Sequence, residues 1–121
     1  MTTIKEEVDI VFRRLAAGKL STPPTPVSSG WEMPLPTGSI VVRSTLQEEA
    51  RSIIALGPDA VPYLIPMVMS GELALRYVAI YALEQITGKK PYFPYFGESD
   101  IESHRAKAIE IWRQWYEIHS K

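Results

Sequence analysis

Residues 56–88, LGPDAVPYLIPMVMSGELALRYVAIYALEQITG, decide how this chain folds. The second half carries Leu75, Val78, Ala79, Ala82, Leu83 and Ile86 on one helical face, and Leu73, Tyr77, Ile80 and Tyr81 on another. A helix with two apolar faces is sandwiched between neighbours. The spacing therefore predicts a central helix over about 72–87, ended by Gly88, with Leu75, Ala79, Ala82, Leu83 and Ile86 almost fully buried. Glu72 precedes Arg76 by four residues, the favourable order for a helical ion pair. The first half places Pro58, Pro62 and Pro66 in an otherwise helical stretch. Pro58 follows the glycine stop at Gly57 and belongs to a turn. Asp59 suits an N-cap, and Pro62 then falls in a first turn, where its missing amide has no helical partner. Pro66 lies deeper, removes a hydrogen bond and predicts a kink. This half reads as a short bent helix over about 59–69.

Working outward, STLQEEARSIIALG predicts a helix over about 45–56. Ser44 with Gln47, or Thr45 with Glu48, offers its cap, and Leu46, Ala50, Ile53 and Ile54 its apolar stripe. Near the start, Thr3 and Glu6 have capping-box spacing, and Ile4, Val8, Val11, Phe12 and Leu15 recur at helical intervals up to Gly18. This predicts a helix over about 3–17. After Ser99 and Glu102, a last helix over about 100–119 carries Ala108, Ile111, Trp112, Trp115 and Ile118 as its expected inner stripe.

Residues 19–43, KLSTPPTPVSSGWEMPLPTGSIVVR, hold five of the ten prolines, which favours extended backbone. In extended chain Trp31, Met33 and Leu35 point the same way. The expectation is a segment pinned across the helices, with Trp31 buried, either capping the fold or occupying a groove. The whole is one all-α domain over 1–121: an N-terminal helix in 1–18, a Pro-rich extended segment in 19–44, and helices from 45 onward.

Composition narrows the function classes. Thirteen Lys and Arg balance fourteen Asp and Glu, for a net charge of -1. That balance gives no electrostatic case for nucleic acid or an anionic membrane. There is no cysteine, so disulfide and thiolate chemistry are excluded. The opening MTTIKEEVDIVF has acids where a signal peptide has bases, and AVPYLIPMVM is too short to span a bilayer. The expected location is the cytoplasm. The two histidines, His104 and His119, stand about four turns apart on one helix, too far to share a metal. No nucleotide-binding, metalloprotease or hydrolase motif is present. Glu6/Glu7 and Glu48/Glu49 read as carboxylates on solvated helix faces. The sequence therefore offers no catalytic, cofactor-binding or metal site.

The stretch from Leu56 to Gly88 resembles a HEAT-like repeat, carried by Leu56, Gly57, Ala60, Val61, Pro62, Leu64, Arg76, Ala79, Ala82, Leu83, Ile86 and Gly88. The closing IWRQWYE, residues 111–117, is similar to the tryptophan-bearing final helix of small bacterial HEAT-repeat proteins. The resemblance covers about 45–120. It implies a short solenoid of about five helices stacked as hairpins, with Pro62, Arg76, Leu83, Trp112 and Trp115 as structural residues. The chain departs from the pattern in the turn before the arginine helix, which has Ser70 and Glu72 where the family often has two acids. Family members that attach bilins, or act as DNA glycosylases, are longer.

The expected function is a non-enzymatic scaffold or adaptor that binds another protein. Its candidate contact residues are Tyr77, Tyr81, Tyr92, Phe93, Tyr95 and Phe96, since tyrosine joins large area to a polar tip. A toxin-neutralising immunity-type protein and a bilin lyase-like accessory are the other readings. No cofactor is expected.

Overall fold

The computed structural model describes residues 3–19, 32–35, 37, 40–70, 72–89 and 102–119. Five helices dominate it. They are α1 (Ile4–Ala16), α2 (Arg43–Ile54), α3 (Val61–Leu64), α4 (Leu73–Thr87) and α5 (Glu102–His119). Two short strands, β1 (Glu32–Pro34) and β2 (Ile40–Val42), form an antiparallel ribbon. Among the described residues no single helix is long and apolar enough to cross a membrane.

α4 is the centre of the packing. It lies along α2, then against α3 and the segment that follows, and also touches α1 and β1. Ala79, Ala82 and Leu83 have no exposed surface and Leu75 is buried, as the two-faced pattern predicts, while Ile86 is only partly covered. On the second face Tyr77 and Ile80 are buried, with Leu73 and Tyr81 half-buried. Burial of each large side chain contributes about 1.5–3 kcal/mol, so this one helix organises most of the core. At its start the Arg76 guanidinium donates to the carbonyl of Ser70 at 3.1 Å, bracing the turn through backbone.

α1 begins at Thr3, whose hydroxyl accepts from the Glu6 amide and donates to the Glu6 carboxylate. Val8, Val11, Phe12 and Leu15 face the core. The helix ends in a Schellman turn: Lys19 N–H bonds the Arg14 carbonyl and Gly18 N–H that of Leu15. Gly18 has φ +74°, and a Cβ there would stand 2.6 Å from Thr37 Oγ1, so glycine also admits the turn of the ribbon.

Four local readings need correction. α2 starts at Arg43, directly after β2, so Ser44 and Thr45 lie inside the helix and not at its cap. The ribbon's last pair, Glu32 with Val42, brings the chain to the helix with no linker. Second, residues 57–69 are not one bent α-helix. A 3-10 turn (Gly57–Ala60), one α-turn (α3) and another 3-10 run (Ile65–Met69) follow one another. Prolines at 58, 62 and 66 remove an amide every four residues, so the i→i−4 ladder is interrupted once in every turn. Asp59 lies within the first 3-10 turn and not at a helix N-cap. The axis turns by 109° between α2 and this stretch.

Third, part of the Pro-rich segment forms the ribbon. Pro34 is tolerated because each strand has a free edge among the described residues. Leu35 is buried in the shared core. Trp31 and the side chain of Met33 lie outside the described residues.

Fourth, Glu49 is buried and not solvated. It falls in the α2 stripe with Leu46, Ala50 and Ile53, three residues after one and four before another. Arg14 of α1 meets its carboxylate at 3.5 Å. Glu48, one position away, turns outward and pairs with Arg51 at 3.0 Å.

Candidate protein-interaction surface

α5 packs on α3 and Ile65–Met69 more than on α4. Its inward residues are Ala108, Ile109 and Trp112, with Trp115 and Tyr116 partly covered. Trp112 has no exposure, and its indole N–H donates to the Lys89 carbonyl at 3.3 Å. That carbonyl is itself held in place. Thr87 Oγ1 donates to the Leu83 carbonyl at 2.7 Å and accepts the Lys89 amide at 3.1 Å, where Gly88 turns the chain at φ +70°. Trp112 thus locks the rotation of α5 about its own axis.

That rotation differs from the one expected. Ile111 and Ile118, assigned to the inner stripe, face solvent at 39% and 72% exposure. α5 carries two apolar sets at helical spacing, one around Trp112 and one of Ile111, Trp115 and Ile118. Periodicity alone cannot choose between them, because both satisfy it. Packing against α3 selects the set with Ile109 and Tyr116.

The outer set forms one wall of an open groove of about 280 Å³, lined by Lys89, Ile111, Gln114, Trp115, Ile118 and His119. Trp115 and His119 stack with ring centroids 4.2 Å apart and planes 13° from parallel. His119 Nδ1 lies 2.8 Å from the Trp115 carbonyl, which can only accept. Nδ1 therefore carries the proton in this contact, and the imidazole is fixed as a flat extension of the indole. A second groove of about 200 Å³ runs between Pro62, Ile65 and Pro66 on one side and Arg113, Tyr116 and Glu117 on the other. Aromatic and aliphatic floors edged by charged and amide groups suit contact with another protein.

Of the residues singled out from sequence, Tyr77 is buried, and its hydroxyl accepts a hydrogen bond from Gln47 Nε2 at 2.9 Å. It is core and presents no surface to a partner. Tyr81 is half-buried and stacks nearly parallel to Tyr77, centroids 6.3 Å apart. Tyr92, Phe93, Tyr95 and Phe96 lie outside the described residues. Sequence reasoning missed the outward face of α5. The available signal was the surplus: IWRQWYEIH has more apolar positions than one helical face accommodates. Among the described residues no group of three or more His, Asp or Glu side chains is placed to hold a metal ion.

Compared with protein-family models, with curated proteins and with solved structures, the chain matches none.

Proposed function

We propose that this protein is a non-enzymatic scaffold that binds another protein through the outer face of α5, on a short HEAT-like stack of helical hairpins. The packing order supports the stack: α1, α3 and α5 follow one another in one row, and α2 and α4 in the other. The observation that carries the binding role is the pair of exposed isoleucines, Ile111 and Ile118, flanking the half-buried Trp115 beside its groove. Aromatic and aliphatic anchors next to a concavity are the features that dominate binding energy at interfaces. A toxin-neutralising role would be one form of this reading, decided by the identity of the protein bound.

The test is affinity capture from the cells that make the protein, with wild type and Ile118→Asp as parallel baits. The expected result is a protein retained by wild type and lost from the variant. Identical retention by both baits would contradict the assignment to α5.

A further inference from the structure

The exposed side of α1 has a pattern of its own. Glu6, Glu7, Ile10, Arg13 and Arg14 recur at three- and four-residue spacing on the face opposite Val8, Val11, Phe12 and Leu15. Ile10 is 44% exposed at its centre. Acids lie on one side of it and bases on the other, at nearly equal distances along the helix. Such a face is complementary to itself when turned end for end.

We propose that α1 is a self-association surface, pairing antiparallel with α1 of a second copy about a two-fold axis near Ile10. On an ideal helix this pairing sets Glu6 against Arg13 of the second copy and Glu7 against Arg14, with each contact repeated by symmetry. The surface already has the matching hole. A groove of about 300 Å³ is lined by Glu7, Ile10, Val11 and Arg14, together with Ser52 and Leu56 of the α2 end. The four α1 residues stand at i, i+3, i+4 and i+7, the diamond that receives a knob in helix packing. About this axis Ile10 meets Ile10 of the other copy at the rim of this groove. Glu49 anchors Arg14 at 3.5 Å from behind, so this wall of the groove is held in place before association. The charge order excludes the parallel arrangement, which would set Glu6 and Glu7 against their own copies.

A single helix pair buries less area than a stable dimer needs, so the association is weak, roughly micromolar to millimolar. The experiment is sedimentation equilibrium of the full chain from about 10 μM to about 1 mM, a range that brackets such a constant. Wild type is expected to dimerise, less so at high salt. Glu6→Lys and Arg13→Glu, both at exposed positions, are each expected to weaken the dimer by about tenfold, since two attractive contacts become repulsive. An equimolar mixture of the two variants is expected to regain association as a heterodimer, which misfolded variants could not do. Ile10→Asp is expected to abolish it with the circular dichroism spectrum unchanged. A wild type monomeric throughout the range would overturn the proposal. So would a dimer indifferent to these changes, or a mixture that does not regain association.

Discussion

The Arg14 guanidinium of α1 lies 3.5 Å from the carboxylate of Glu49 on α2, and that carboxylate is sealed completely from solvent. The contact clips the first helix to the core beside the buried Leu46, Ala50 and Ile53 of α2. Arg14 itself keeps 36% of its side chain exposed. The pair is asymmetric: the carboxylate is sealed while the guanidinium reaches water, so removing the arginine weakens the hold on a buried charge.

Arg14→Met is therefore expected to destabilise the fold by about 2 kcal/mol, below the range for a fully buried pair because part of Arg14 already faces water. Arg14→Met with Glu49→Met should recover much of that loss. Urea unfolding of the two single variants and the double variant measures the coupling. Strictly additive losses would show that Arg14 and Glu49 are not coupled.

Leu83 has no exposed surface and sits in the middle of α4, where α2 and α3 both bear on the same helix. Leu83→Ala is expected to cost about 2–5 kcal/mol, with the spread set by how far those helices can relax into the gap. A loss under about 1 kcal/mol in urea unfolding would show that α4 is peripheral.

Much of this architecture is legible in the sequence. The α4 pattern predicts a sandwiched helix, and Leu75, Ala79, Ala82 and Leu83 are buried. Gly18, Gly57 and Gly88 read as stops, and each has positive φ. Three things were not legible, each for a physical reason. The 57–69 stretch keeps helical side-chain spacing while its prolines convert most of the backbone to 3-10 turns. Hydrophobic periodicity does not register that change. Glu49 reads as solvated because carboxylates usually are, although its spacing from Leu46 and Ile53 places it on the buried stripe. α5 carries apolar residues on two faces, and only its contact with α3 and Ile65–Met69 decides which one faces inward. The candidate surface was hidden for the same reason. Tyr77, chosen for its aromatic ring, is core, while Ile118, chosen as core, is 72% exposed.

The central claim is that the exposed Ile111 and Ile118 on the outer face of α5 are surplus to the fold. The most direct test is the urea unfolding free energy of Ile111→Ser with Ile118→Ser, set beside that of Trp112→Ala. Trp112→Ala removes a fully buried ring and is expected to cost about 3–5 kcal/mol. The outer double variant is expected to stay within about 1 kcal/mol of wild type, as for exposed substitutions. A loss in the outer variant as large as that of Trp112→Ala would contradict the account, because the face would then belong to the core of the protein.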